Sequence, residues 1–274
     1  MTMLASTPRT IPAAVPAARF GDLAAAEWIK IRSLRSTPWV IGLTVLFVIG
    51  SAAAATLADK DTGSGPADFL AYDAYPPAGY WTLILVAATM GALTVVSEYS
   101  SGLIRTTTAA VPARGSVVLA KAAVTAALWS AVGTVASLGS FLVSQAVLDG
   151  RHAGVPITHP GVFQALVASA LLAPVCAVVG LGLGVLLRHA AGTVVTSVFV
   201  LLMLPTMFSE SNRWSADVKH ALVSAAWHRL VQPWEPDPDS LGYTATVPGC
   251  WLVYVLWPLV TLALAVVVVR RRDV

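Results

Sequence analysis

Apolar residues gather along the chain into six long runs parted by shorter polar intervals. The runs are residues 38–58 (PWVIGLTVLFVIGSAAAATLA), 79–97 (GYWTLILVAATMGALTVVS), 122–148, 162–187, 190–208 and 251–269 (WLVYVLWPLVTLALAVVVV), and none contains Asp, Glu, Lys, Arg or His. A helix rising about 1.5 Å per residue needs roughly 20 residues to cross a hydrocarbon core about 30 Å thick. Each run meets or approaches that length. A segment surrounded by lipid must satisfy its own backbone groups, which a helix does. The pattern therefore predicts an all-α integral membrane protein of six transmembrane helices. Only Arg188 and His189 part the fourth run from the fifth, so a tight hairpin is expected there.

Composition agrees: 57% of residues are hydrophobic, 11% are charged and the mean hydropathy is +0.75, which excludes an ordinary soluble domain. Orientation follows from the 17 Lys and Arg residues. With both termini cytoplasmic, 12 of them fall inside and five (Lys60, Arg151, Arg213, Lys219 and Arg229) outside, the bias that sets topology.

Residues 1–19 have no apolar core and are broken by Pro8, Pro12 and Pro16, so a disordered cytoplasmic tail is expected rather than a cleaved signal. Residues 20–274 are then one six-span membrane domain. From Phe20 the sequence FGDLAAAEWIKIRSLRS puts Phe20, Leu23, Ala24, Trp28, Ile31 and Leu34 near one helical face, with Lys30, Arg32 and Arg35 mostly on the other. Two readings stand: an amphipathic interfacial helix on the anionic inner leaflet, bent at Pro38 into the first span, or a positively flanked start to that span.

Candidate chemistry is sparse. Cys176 and Cys250 offer neither metal spacing nor a disulfide framework and read as packing residues. His220 and His228 are two turns apart without a third ligand, so no metal site is expected. No nucleophile stands with a base, and no catalytic or cofactor site is expected. The spans also lack the mid-membrane charges that mark coupling-ion paths in ion-driven carriers. Gly133, Ser137, Ser140 and Ser144 recur at helical spacing in the third span; Ser169, Ala173, Ala177, Gly180 and Gly184 do so in the fourth. Small residues at that spacing serve close helix packing. Ser137, Ser144 and Gln145 carry a second reading, the lining of a passage. No lysine ends a G-x-x-x-x-G-K-[ST] phosphate loop, so a nucleotide site of that kind would belong to a partner.

The interval 98–121, EYSSGLIRTTTAAVPARGSVVLAK, is polar and basic. Glu98 stands at the C-terminal end of the second span, where the helix dipole disfavours a carboxylate. It is expected to take a cation, Arg105 or Arg114. Gly102 permits a break, Leu103 to Ala110 can form a short helix, and Pro112-Ala113-Arg114-Gly115 ends it. Ser116 is expected to cap the third span and Lys121 to sit at headgroup level. The result is either a lever-like helix or an ordinary positive-inside loop.

This interval resembles the Glu-x-x-x-Gly-[Thr/Leu]-Ile-Arg-x-Thr…Pro-x-Arg…Leu-x-Lys pattern of bacterial ABC-2 type ABC transporter permeases. AAEWIKIRSLRSTPW, with Trp28, Lys30, Arg32 and Arg35, is similar to the elbow before their first span. Leu103 stands where Thr is frequent in the family. The likeness of layout covers about residues 20–272. The resemblance implies that the loop between spans two and three docks on a separate ATP-binding subunit, which would hold ATP and Mg. Glu98, Gly102, Arg105, Thr107, Pro112, Arg114 and Lys121 would shape or present that loop. It further implies a homodimer, or a heterodimer with a related permease, in the bacterial cytoplasmic membrane, and a lean to export of a small or amphipathic molecule. A non-transporting scaffold or sensor subunit stays open. Neither reading involves nucleic acid.

Residues 209–250 are external by this topology. SADVKHALVSAAWHRLVQPW suits an amphipathic helix capped by Ser215, and Trp214, Trp227 and Trp234 suit an outer-leaflet interface. The segment is either re-entrant or surface-lying.

Overall fold

A computed structural model describes residues 19–58, 73–103, 114–150, 152–232 and 242–271. Every regular element among them is helical. Helix α1 (Phe20–Ser33) begins where the Arg19 backbone N–H donates to the Asp22 carboxylate at 3.0 Å, which satisfies a donor at the helix start. Arg19 is thus the N-cap residue of α1; the rest of the expected tail, residues 1–18, lies outside the described residues. The chain bends at Leu34-Arg35 and not at Pro38. Pro38 lies in the first turn of α2 (Ser36–Ala58), where a proline's missing N–H costs no helical bond.

Helix α3 (Pro77–Ser101) runs four residues past the apolar run that predicts it. Gly102 closes it with φ 74°, its N–H donating to the Tyr99 carbonyl at 3.3 Å. That left-handed conformation suits glycine, which has no Cβ to clash. Helix α4 (Arg114–Asp149) spans 36 residues, about 54 Å at 1.5 Å per residue. It starts two residues before Ser116, so Ser116 lies within its first turn and is not its cap.

Helix α5 (Val162–Leu187) ends at Arg188, and His189 caps α6 (Ala190–Val198) by accepting from the Gly192 N–H at 3.1 Å. The expected two-residue connection is therefore a C-cap followed directly by an N-cap. Helix α6 continues through a π turn, Phe199–Met203, and a 3-10 turn, Leu204–Met207. Two short helices follow, α7 (Arg213–His220) and α8 (Val223–Val231). They replace the single helix expected there. The cap of α7 is Asn212, which accepts from the Ser215 N–H at 3.2 Å; the Ser215 hydroxyl instead accepts from the Ser209 N–H at 2.8 Å. Helix α9 (Val247–Arg271) closes the described chain.

Among the described residues six helical stretches are long and apolar enough to cross a membrane: α2, α3, α4, α5, α6 with its two following turns, and α9. The architecture is that of a multi-pass membrane protein. Helix α5 is central, with 78% of its apolar window buried against 22% for α2 and α9. Small residues explain how it is enclosed. A Cβ added at Gly180 would lie 2.0 Å from the Ala88 carbonyl oxygen of α3, one at Gly91 2.0 Å from the Ala177 oxygen of α5, and one at Gly133 2.1 Å from the Ala170 oxygen. Backbones touch at these points, so dispersion contacts replace the hydrophobic drive that lipid cannot supply. Gly184 faces Ala92 and Val96 on the same seam. Cys176 and Cys250 are free and buried.

One end of the bundle collects the start of α4 and the ends of α3, α5 and α9: the Arg188 guanidinium lies 5.1 Å from the Tyr99 ring centre, and Gly115 faces Arg270. At the other end, α8 is inserted among the long helices. Val223, Ala226, Trp227, Leu230 and Val231 are almost fully enclosed. Trp227 stacks on Tyr80 at 5.0 Å and donates to the Ser169 hydroxyl at 3.1 Å. Ser169 is seven residues into α5, roughly 10 Å from its start. Trp227 is therefore a core residue and not an interfacial one, because α8 turns it inward; Trp214 is exposed, and Trp234 lies outside the described residues.

Candidate functional site

Four charged side chains meet where α1 crosses the end of α3 and the beginning of α4. Leu23, Ala24, Glu27 and Ile31 share the covered stripe of α1, and Glu27 alone on that helix is buried. Its carboxylate binds Lys30 Nζ at 2.8 Å through Oε1 and Lys121 Nζ at 2.5 Å through Oε2. Glu98 Oε1 binds the same two ammonium groups, Lys30 at 2.8 Å and Lys121 at 2.9 Å. Charges alternate around a closed ring, carboxylate to ammonium to carboxylate to ammonium, with a net charge of zero.

Burial makes the pairing obligatory. Glu27, Glu98 and Lys121 are 5%, 6% and 4% exposed, and a buried charge without a partner would cost several kcal/mol. Lys30 is the one half-open member, its side chain 46% exposed. Burial opposes its charge, but the hydrogen bonds it donates to Glu27 and Glu98, with their negative charges, outweigh that and hold its pKa above the ordinary 10.5. It stays an ammonium throughout the neutral range.

The ring corrects several expectations. Glu98 finds two cations that the sequence did not offer it, Lys30 and Lys121; the expected partner Arg105 lies outside the described residues. The reason is lateral packing: α1 lies against the start of α4 and encloses Lys121 between them. Lys30 flanks the covered stripe of α1 and reaches Glu98, so it does not stand opposite that stripe. Phe20 and Trp28 of α1 and Leu34 just after it are exposed, apolar surface that the other described residues leave open. Arg32 and Arg35 are exposed as well. Arg114 is the first residue of α4. Arg105, Thr107, Pro112 and most of the expected helix from Leu103 to Ala110 lie outside the described residues.

Sequence reasoning missed Glu27. The available signal was a carboxylate inside the stripe formed by Leu23, Ala24 and Ile31, with a lysine one turn later.

The three passage candidates are engaged between elements. Ser137 donates to the Leu166 carbonyl of α5 at 2.8 Å, Ser144 shares a 2.8 Å bond with Thr56 of α2, and Gln145 accepts from the Val155 N–H at 2.6 Å. Ser137 and Ser144 are wholly buried. Among the described residues no group of His, Cys, Asp and Glu is arranged to hold a metal ion. Chemically, the ring is a fastener: it can hold three helix segments in register, and its carboxylates are already occupied. No protein-family model matches the sequence, and no curated protein matches it.

Proposed function

We propose that this chain is the transmembrane subunit of an ATP-driven ABC transporter of the ABC-2 type, working as an exporter of a small or amphipathic molecule. In this reading it lies in a bacterial cytoplasmic membrane with both termini inside, pairs with a second copy or a related permease, and receives its drive from a separate ATP-binding subunit. The observation that carries the reading is the ion ring. Glu98 and Lys121 are the two ends of the 98–121 interval, and both are bound to α1. A force applied to that interval would therefore move α1, α3 and α4 together, as docking of an ATPase on a coupling loop requires. The motif resemblance of the same interval and the missing phosphate loop support it independently.

A second reading, a non-transporting scaffold or sensor subunit, draws on Ser137, Ser144 and Gln145. All three are committed to bonds between elements, which suits a static bundle. Copurification separates the two. Solubilised from its native membrane, a permease should bring down a phosphate-loop ATPase, while the chain freed of that partner should hydrolyse no ATP. Recovery of the intact chain without any ATPase, under conditions that preserve its other membrane partners, favours the scaffold.

A further inference from the structure

The end of the bundle opposite the ion ring holds a cavity of about 500 Å³ between the last turns of α6, helices α7 and α8, and the start of α3. That volume is in the range of sites for small organic ligands. One wall is apolar, built from Trp81, Leu202, Pro205 and Phe208. The π turn Phe199–Met203 contributes Leu202 to it; such turns recur at functional sites because they displace side chains from the regular helical register. The lining also carries polar and charged groups, Glu210, Lys219, His220 and Arg229.

The charges do not balance. Glu210 is bound to Lys219 at 3.0 Å and is neutralised by it. Arg229 donates from Nε to the Ala245 carbonyl at 3.1 Å and from Nη1 to the Gln232 carbonyl at 3.2 Å. Both acceptors are uncharged, and no carboxylate among the described residues pairs with this guanidinium. His220 Nε2 is buried without a hydrogen-bond partner, 3.8 Å from Glu210. The cavity thus presents a guanidinium fixed by bonds to two backbone carbonyls, one imidazole nitrogen without a hydrogen-bond partner and a lipophilic wall. Arginine held in this way recognises phosphate or carboxylate through its remaining N–H groups.

We propose that this cavity binds an amphipathic anion, a single phosphate- or carboxylate-type headgroup on an apolar body. The headgroup meets Arg229 and His220, and the apolar body lies against Trp81, Leu202 and Phe208. The site stands whether or not the chain works with an ATPase, because its test is binding and not transport.

The test is native mass spectrometry of the full chain in neutral detergent, with dioleoyl phosphatidylglycerol, octyl phosphate and inorganic phosphate as separate probes. Dioleoyl phosphatidylcholine and octyltrimethylammonium serve as controls. One octyl phosphate or one phosphatidylglycerol should be retained per chain, and inorganic phosphate should not. Retention of the lipid alone identifies a bilayer ligand, and retention of octyl phosphate alone a soluble one. Arg229→Gln should weaken retention by roughly tenfold or more. Because Arg229 also holds two carbonyls, Leu202→Trp, which fills the cavity without altering a charge, should weaken it as well. The proposal is overturned if neither amphipathic anion is retained, if the controls bind equally well, or if both variants retain the probe as the parent does.

Discussion

Lys121 Nζ lies 2.5 Å from Glu27 Oε2, joining α4 to α1 across 94 positions of sequence. The contact turns a basic residue of a long apolar helix into an interior group, and it makes α1 part of the bundle. Its partner ion pairs run through Glu98 and Lys30, so the end of α3 shares the same fastening.

Removing Glu27 should therefore be costly. Glu27→Ala leaves Lys121 buried with only Glu98, and breaking one partner of a buried pair typically costs about 3–5 kcal/mol. The double change Glu27→Gln with Lys121→Met should recover much of that loss, since it removes both charges. Lys30→Ala should cost far less, because solvent screens a half-exposed ammonium. Thermal unfolding of the three variants in one detergent checks the order; equal losses for Glu27→Ala and Lys30→Ala would contradict the ring.

The seam between α3 and α5 should reject any side chain. Gly180→Val places a Cβ where the Ala88 carbonyl oxygen stands 2.0 Å away, and backbone cannot yield as a flexible side chain does. Overpacking of this kind costs about 1–3 kcal/mol, and more where backbone must move. Gly42→Val in α2, whose Cβ would meet nothing within 4 Å, is the matched control and should leave the melting temperature nearly unchanged.

Acid should weaken the α7–α8 end. Burial, with Lys219 adding to it, lowers the pKa of His228 from its ordinary 6.5. The unfolded chain then takes up a proton before the folded one does, so stability should fall as pH drops below 6.5 and level off beneath the folded pKa. Melting temperatures measured between pH 7.5 and 5 should show this slope. A His228→Gln variant should show a shallower one.

Opposite labelling should reveal the topology. Ser101 ends α3, and Ser211 precedes α7 at the other end of the bundle; both are exposed. Cysteines introduced at Ser101 and Ser211 should react with an impermeant maleimide from opposite faces of a sealed vesicle, while Cys176 and Cys250 stay protected by burial. Labelling of both from one face is incompatible with the six-span arrangement.

Coupling can be probed at Thr107, which lies in the interval between α3 and α4. In the short helix that the sequence predicts from Leu103 to Ala110, Thr107→Pro would remove a backbone donor at a cost of about 3 kcal/mol, and it alters no apolar span. Under the proposed ABC-2 reading, membrane insertion should be normal and stimulation of the partner ATPase should be lost. Wild-type transport by this variant would reduce the interval to a topology-setting loop.

The spans were legible in the sequence because lipid imposes one rule on every residue of a spanning helix: apolar side chains and internally bonded backbone. The same rule is silent about sideways contacts. Composition could say that α5 is rich in glycine and alanine, but only the packed helices decided that Gly180 meets Ala88 and Gly91 meets Ala177. Glu98 had to find a cation, since a carboxylate at a helix C-terminus is disfavoured; which cation depended on α1 folding back onto α4. Local reasoning favoured neighbours in sequence, Arg105 and Arg114, whereas tertiary packing supplied Lys30 and Lys121 from 68 and 23 positions away. Trp227 follows the same logic. Its amphipathic ring suits a membrane interface, and the inward turn of α8 buried it against Tyr80 and Ser169 because its indole N–H could find a hydroxyl there.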